Sequence, residues 1–194
     1  MSRRRGSSPR PTSRTIALLA DAHASTLCAH IWRHGKESGT DGDVIFQPRL
    51  SGEELDVPAA IERHRAEWGR PLFCPQWLRT WGLFEDEAAG PDATIVGHLD
   101  LRGGRLPAEL HRATLGMGLE RPARRQGHGR ALIETAIVWA RARGLAWLDL
   151  GVFAHNRPAR ALYESMGFVE VGTTRDQFRV DEASIDDVAM TLRL

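Results

Sequence analysis

Residues 124–144 read RRQGHGRALIETAIVWARARG, a basic cluster with two glycines one residue apart, followed by a run without further Gly or Pro until Gly144. Gly127 and Gly129 lack side chains, so the surrounding amides can converge on an anion at the positive end of a following helix. Glycine-rich turns also precede helices that bind no ligand. The pattern therefore indicates either a phosphate site made of backbone or a simple turn.

The run after the glycines has the spacing of an amphipathic helix, with its apolar residues between Leu132 and Ala140 on one face and Gly144 just past its end. No Lys-Ser or Lys-Thr follows the glycines, which excludes a Walker loop. A dinucleotide fingerprint is disfavoured because its third glycine is missing. A pyrophosphate carried by another cofactor remains.

The segment before the loop, ATLGMGL at residues 113–119, is predicted to be a strand. Ala113, Leu115, Met117 and Leu119 fall on one face, and Thr114, Gly116 and Gly118 fall on the other. The second face carries little bulk. Either a ligand approaches the backbone closely there, or the small residues serve a β-bulge or sheet packing.

The C-terminal half is predicted to alternate strands and helices. Further strands are predicted at residues 94–101, 146–153, 169–180 and 188–194. Residues 155–168 suit a short helix with Asn156 as its N-cap and Gly167 after its end. From residue 113 onward the order is strand, helix, strand, helix, strand, strand, which favours an α/β arrangement with a mixed sheet.

The N-terminal half is less regular. Predicted here are a helix over 15–34, a linker over 35–43, a strand over 44–48, a helix from a Ser51–Glu54 capping box to about Trp68, and a short helix over 75–83 before an acidic loop. Residues 1–14 contain five arginines and no acid, and we expect them to be disordered.

Composition describes a soluble globular protein: 194 residues, 42% hydrophobic and 26% charged, enough for one domain. Beyond its basic start the chain is mildly acidic, which argues against a nucleic-acid partner. Cys28 and Cys74 lack the spacing of a disulfide scaffold or a thiol-rich zinc site, so we expect reduced thiols in a cytoplasmic protein. No run approaches the roughly 20 apolar residues of a membrane helix, so no membrane partner is expected.

The loop, the strand before it and the helix after the next strand together resemble the GNAT superfamily of N-acetyltransferases. The matching residues are Arg124, Gly127 and Gly129 in an Arg-x-x-Gly-x-Gly pattern, then Asn156, Ala159, Leu162, Tyr163, Glu164, Gly167 and Phe168. The strong match covers residues 95–170, and strand-by-strand agreement extends it to about 43–194. The resemblance implies an α/β (α+β) fold with a central mixed, mostly antiparallel sheet, flanked by helices and splayed around the cofactor. Residues 1–42 lie outside it, as a tail, an accessory helix and a linker.

In that family the loop binds the pyrophosphate of acetyl-coenzyme A (acetyl-CoA), and the preceding strand pairs with the pantetheine arm. Carried over, the cofactor-binding residues are Met117, Gly118, Leu119, Arg124, Arg125, Gln126, Gly127, His128, Gly129, Arg130 and Asn156. His128 and His155 depart from the residues usual at their places, and we expect both to be surface residues rather than catalysts. No metal is implied.

The implied reaction moves an acetyl group from the cosubstrate acetyl-CoA to a primary amine, by direct attack through a tetrahedral intermediate. Tyr163, the only tyrosine, stands where the family usually has the tyrosine that protonates the thiolate. A phenol of pKa about 10 can protonate a departing thiolate of pKa roughly 8.5. The alternative is a tyrosine that only packs against the sheet. An amide of residues 117–119 is the expected oxyanion donor.

The general base is not marked by the sequence. Positions where some family members carry a catalytic glutamate hold Ala113 and Gly151. Asp100, His111 and Glu120 are nearby in sequence, and we expect the amine to lose its proton through water to one of them.

The acceptor wall in this family comes mainly from the first two helices and the last hairpin. The aromatic and acidic residues concentrated in the helical region are Trp68, Phe73, Trp77 and Trp81 with Glu53, Glu54, Glu62, Glu67, Glu85, Asp86 and Glu87. Such a pocket suits a cationic amine on a small molecule or peptide, although the acids also fit a solvated helix face. A homodimer is compatible with the resemblance. The alternative function is a non-catalytic acyl-CoA sensor or interaction module.

Overall fold

The computed structural model describes residues 14–50, 52–85 and 87–194, so the predicted disordered tail lies outside the described residues except for Arg14. The strands within these ranges are β1 Thr15–Leu18, β2 Leu78–Phe84, β3 Ile95–Gly103, β4 Arg112–Leu119, β5 Trp147–Phe153, β6 Val169–Val180 and β7 Ala183–Arg193. The α-helices are α1 Ala24–Glu37, α2 Val57–Trp68, α3 His128–Ala142 and α4 Arg157–Ser165. Over the described ranges, no helix has the length and apolar character needed to cross a membrane.

The strands form one sheet in the order β1-β2-β3-β4-β5-β7-β6, and every neighbouring pair is antiparallel except β4 and β5. This confirms the predicted mixed, mostly antiparallel sheet. The parallel pair extends only from Arg112–Trp147 to Thr114–Asp149. Both strands continue beyond that point, so they separate toward their C-terminal ends. Helix α3 makes the crossover connection that a parallel pair requires.

The main core fills the space between the sheet and α3. Leu115 on β4 and Leu148 on β5 are buried in one cluster with Leu132 and Ile133 of α3. A second cluster joins Leu27 of α1 and Trp68 of α2 to β2 and β3. Burial of these apolar faces stabilises the sheet by about 25 cal/mol per Å² removed from water.

The predicted elements of the C-terminal half are confirmed. Helix α3 begins after Gly127 and is followed by Gly144, and both glycines have positive φ, 83° and 77°. The Asn156 side chain accepts a hydrogen bond from the Ala159 amide at 3.3 Å, as an N-cap does. Gly167 follows α4 with φ 92°.

Two predictions for the N-terminal half are wrong and one is correct only in part. The strand predicted over 44–48 is irregular, and the helix predicted over 75–83 is mostly β2. The helix predicted over 15–34 is present only from Ala24, as α1, and its start is instead strand β1. Strand β2 is buried on both faces almost throughout, so its sequence lacks the alternation that distinguishes a strand from a buried helix. A four-residue strand such as β1 is too short to show any period.

Helix α2 ends at Trp68 as predicted but begins at Val57. Its N-cap is Asp56, whose side chain accepts from the Ala59 amide at 3.1 Å. Ser51 of the predicted capping box lies outside the described residues. The division into residues 1–42 and 43–194 stays a prediction, although β1 pairs with β2 inside the same sheet.

Candidate active site

A cavity of about 1060 Å³ opens where β4 and β5 separate. Its walls come from residues 115–119 of β4, the loop before α3, Gly151 to Phe153 of β5, helix α4 and the segment after α1. The predicted site residues that line it are Met117, Gly118, Leu119, Arg124, Arg125, Gly127, Gly129, Arg130, Asn156 and Tyr163. Gln126 and His128, also predicted, are not among the lining residues. The fold thus gathers most of the predicted site around one opening.

The loop before α3 presents its backbone to this cavity. Gly127 is the N-cap of α3 in the left-handed conformation, and Arg125 also has positive φ, 60°. A Cβ added to Gly127 would meet no atom within 4 Å, whereas one on Gly129 would lie 3.0 Å from Leu162 Cδ2. The first amides of a helix have no partner inside the helix. Open space over free amides at a helix N-terminus suits a phosphate group.

The Arg124 side chain is occupied by protein groups. Its Nη1 donates to Asp43 Oδ2 at 2.6 Å, its Nη2 to Glu37 Oε2 at 2.7 Å, and its Nε to the Leu119 carbonyl at 2.8 Å. Arg121 Nε also donates to Asp43 at 2.6 Å, and the two guanidinium groups, Arg121 first, hold the pKa of Asp43 below its usual value. Arg124 therefore joins α1 and the following segment to the loop, and its side chain is bound by protein groups rather than free to meet a ligand.

Two other predicted cofactor residues have side chains that secure local structure. Gln126 Nε2 donates to the Pro122 carbonyl at 2.6 Å. Arg130 Nη2 donates to Ser165 Oγ at 2.8 Å at the end of α4. These contacts fix the loop against its neighbours, which a site built from backbone requires. Their predicted part in cofactor binding stays a prediction.

The two histidines expected on the surface have different surroundings. His128 has a lowered pKa through partial burial and the nearby Arg14 charge. His155 is exposed, and its Nε2 lies 2.7 Å from the Ile45 carbonyl oxygen. His155 thus holds the segment after α1 against the start of α4.

Tyr163 lines the cavity from α4 and is only 6% exposed. Its ring packs edge-on against Phe168, with 5.8 Å between the ring centroids. Burial raises the pKa of Tyr163 to about 12. Within the described ranges no hydrogen bond engages its hydroxyl, so the group is a protonated donor next to the cavity. Tyr163 therefore lies beside the cavity, as the predicted catalytic role requires, and its ring also packs in the core, as the alternative interpretation expects.

The three candidate bases named from the sequence do not line the cavity. Asp100 accepts a hydrogen bond from Thr80 Oγ1 at 2.6 Å, and burial raises its pKa. Glu120 Oε1 lies 2.7 Å from His30 Nδ1. Burial acts to raise the pKa of Glu120, but hydrogen bonds from His30 and Arg33 outweigh it, and the pKa is lowered. His111 is exposed before β4. A role for any of them requires intervening water.

A cluster of imidazoles behind β4, of which His30 and His34 are buried and His98 is half-buried, was not expected from the sequence. His30 Nε2 lies 2.9 Å from His98 Nδ1, and His34 stacks on Phe46 at 4.3 Å between centroids. A Cβ on Gly118 would lie 2.8 Å from His34 Cε1 and 2.9 Å from His98 Cε1. The small residue at Gly118 thus makes room for side-chain packing. The available signal was the spacing of His30 and His34, one helical turn apart.

In the described part of the chain, no three or more His, Cys, Asp or Glu side chains are arranged so that they could hold a metal ion, and this holds for the histidine cluster as well. Burial, followed by the His30 charge, lowers the pKa of His34 to about 3 and that of His98 well below its usual value. Both rings are therefore neutral at physiological pH.

A second cavity, of about 690 Å³, lies between α1, the loop after it and the β6–β7 hairpin. Trp32, Glu53, Glu54 and Glu182 are among its lining residues. The predicted aromatic wall is wrong for Trp68, Trp77 and Trp81, which are buried in the two cores because they pack between sheet and helices. Asp86, predicted on the acidic rim, lies outside the described residues.

The sequence model of the Acetyltransferase (GNAT) family matches residues 52–168. The ribosomal protein bS18-alanine N-acetyltransferase of Escherichia coli K12 is 40% identical over 145 residues, covering 72% of this chain and 93% of that protein. The mycothiol acetyltransferase of Beutenbergia cavernae is 44% identical over 178 residues, covering 80% of this chain but 60% of the other.

The fold is also found among solved structures. An acetyltransferase structure from Salmonella typhimurium, determined with its cofactor acetyl-CoA, superposes with a TM-score of 0.73 at 15% identity, covering 93% of this chain and 94% of that one. At this identity the likeness concerns the fold.

Proposed function

The chain belongs to the GNAT family of acetyltransferases, and from that premise we propose that it transfers the acetyl group of acetyl-CoA to a primary amine of a peptide or small molecule. The observation that carries the proposal is the cavity between the separating ends of β4 and β5. It brings the open N-terminus of α3 and the hydroxyl-bearing ring of Tyr163 to one opening.

The residues around the cavity fit acetyl-CoA. The space beside Gly127, which a Cβ would enter without meeting an atom within 4 Å, accommodates a pyrophosphate on the amides of residues 125–130. The β4 edge over residues 117–119 has no β5 partner, so its backbone groups, apart from the Leu119 carbonyl that accepts from Arg124, are available to the amide groups of a pantetheine arm. When bound, acetyl-CoA supplies an activated thioester carbonyl.

The chain's own groups would then act on that carbonyl and on the leaving sulfur. A backbone amide of the β4 edge donates to the carbonyl oxygen as negative charge develops there. The Tyr163 hydroxyl donates its proton to the departing thiolate. The buried ring holds this hydroxyl in place, because it packs against Phe168.

The acceptor class is supported by the names of the relatives. One relative is named for the alanine of a ribosomal protein and the other for mycothiol. Peptides that begin with alanine are therefore the first acceptors to try.

A panel of amines incubated with acetyl-CoA, followed by thiol release, tests this function. The panel contains alanine-starting peptides, amino acids, polyamines and aminoglycosides, with an N-terminally blocked copy of each peptide as the control. We expect thiol release with at least one free amine and none with its blocked copy. If acetyl-CoA raises the melting temperature but no amine releases thiol, the acyl-CoA sensor becomes the better description. If acetyl-CoA does not stabilise the protein, both functions are excluded.

A further inference from the structure

The carboxylate of Asp187 occupies the position of the side chain that Gly151 lacks. A Cβ built on Gly151 would lie 2.6 Å from Asp187 Oδ2 and 3.2 Å from Asp187 Cγ. The two residues belong to neighbouring strands, since Phe153 of β5 pairs with Asp187 of β7. The carboxylate therefore reaches across the Cα of Gly151 from the adjacent strand.

Gly151 lies at the point where the cavity opens. The last parallel pair between β4 and β5 is Thr114–Asp149, and Gly151 is the next residue of β5 on the same face. It is exposed and lines the cavity together with Tyr163 and residues 115–119. Asp187 itself is not among the lining residues, but its carboxylate crowds Gly151, which is, so it lies directly beside the opening between the strands.

The other carboxylates near this opening are engaged. Asp43 is paired with Arg121 and Arg124, Glu37 with Arg124, and Glu120 with His30 and Arg33. No hydrogen bond or ion pair involves the Asp187 side chain over the ranges that the structure covers. Its partial burial raises its pKa, which makes the carboxylate a stronger base than an aspartate in water.

We propose that Asp187 is the general base that takes the proton from the acceptor amine. The inference rests on the proposed acetyl transfer. The amine nitrogen forms a bond to the acetyl carbon, its surplus proton moves to the Asp187 carboxylate, and the carbon–sulfur bond breaks as the sulfur takes the Tyr163 proton. Asp187 then releases its proton to solvent, and Tyr163 regains one from solvent, so the two groups return to their starting states.

Asp187→Asn tests the role because it keeps the size of the side chain and removes its basicity. With an acceptor that the unaltered protein acetylates, we expect turnover to fall by roughly 10²- to 10⁴-fold, the usual range for a positioned acid or base. Stabilisation by acetyl-CoA should be retained. Asp186→Asn is the matched control: its side chain accepts from the Asp176 amide at 2.8 Å, which asparagine can also do, and its turnover should match that of the unaltered protein.

A second pair of variants removes the carboxylate of β7 and supplies one from Gly151 of β5 in its place. Asp187→Ala removes the atoms that crowd Gly151, so Gly151→Asp in the same chain has room for its side chain. We expect this double variant to be at least about tenfold more active than Asp187→Ala with Gly151→Asn, which has the same shape without the charge.

The results distinguish an incorrect assignment of the base from an incorrect assignment of the function. Turnover of Asp187→Asn within about threefold of the unaltered protein, with chemistry limiting, overturns the proposed base and leaves acetyl transfer intact. Equal activity of the two double variants also overturns it, because the position would then act only through packing. Absence of turnover in the unaltered protein overturns the acetyl transfer itself, and the base with it.

Discussion

At the scale of single residues, the site separates side chains that hold the loop from side chains free to react. The Arg124 guanidinium is bound by Glu37, Asp43 and the Leu119 carbonyl. Hydrogen bonds to charged groups contribute about 1.5–3 kcal/mol each when well formed, so this arginine is committed to the fold. The Tyr163 hydroxyl has no such partner in the described part of the chain, which leaves it available for chemistry.

Tyr163→Phe removes this hydroxyl and keeps the ring and its packing on Phe168. Folding and acetyl-CoA affinity should therefore survive. Turnover should fall by roughly 10²- to 10⁴-fold, the range for loss of a positioned general acid, when chemistry rather than product release limits the rate. Single-turnover kinetics with thiol detection measures the chemical step. A rate within about threefold of the unaltered protein would show that water protonates the thiolate and that the ring only packs.

At the scale of elements, helix α3 has a left-handed glycine at each end. Gly127 precedes it with φ 83° and Gly144 follows it with φ 77°. A Cβ would meet no atom within 4 Å at either glycine. Both positions therefore require a left-handed backbone. They differ because Gly127 lies at the positive end of the helix, beside the cavity.

Gly127→Ala and Gly144→Ala should each lower the free energy of unfolding by about 1–2 kcal/mol, because alanine is strained at positive φ. Only Gly127→Ala should also weaken the stabilisation by acetyl-CoA, since its methyl group enters the space that we propose for the pyrophosphate. Denaturant unfolding gives the first quantity, and melting temperatures with and without acetyl-CoA give the second. If both variants kept the full acetyl-CoA effect, the loop would not be the phosphate site.

At the scale of the whole molecule, buried histidines join elements distant in sequence. His30 and His34 of α1 meet His98 of β3 behind Gly118 of β4. Burial keeps His34 and His98 neutral in the folded protein by lowering their pKa values. In the unfolded chain a histidine titrates near pH 6.5.

This difference predicts loss of stability in acid. Below pH about 6.5 the unfolded chain binds protons that the folded protein excludes, so the free energy of unfolding falls by up to about 1.4 kcal/mol per pH unit for each such histidine. For His34 the window closes near its folded pKa of about 3. Urea unfolding at several pH values between 7.5 and 5 measures the slope.

His34→Gln should reduce the slope of the unfolding free energy against pH, because glutamine does not titrate. The reduction is up to about 1.4 kcal/mol per pH unit, which corresponds to one proton. His111→Gln, at an exposed position, is the control and should leave the slope unchanged. An identical slope in His34→Gln and the unaltered protein would mean that His34 is protonated in the folded state as well.

The sequence by itself determined the helices and strands of the C-terminal half and the position of the glycine loop before α3. Helix α3 has a full apolar face between two glycines, and α4 has an N-cap and a closing glycine, so local chemistry marks their ends. The N-terminal strands were missed because β2 is buried on both faces and β1 has four residues. Neither offers a period that neighbouring residues alone can reveal.

Only the tertiary structure decided which polar side chains meet. The Arg124 contacts span 87 residues to Glu37, and the His30–Glu120 pair spans 90. Asp187 reaches the space over Gly151 because β7 pairs antiparallel with β5 after the chain has passed through α4 and β6. Such contacts depend on strand order and register, which arise from the packing of the whole sheet rather than from any one segment.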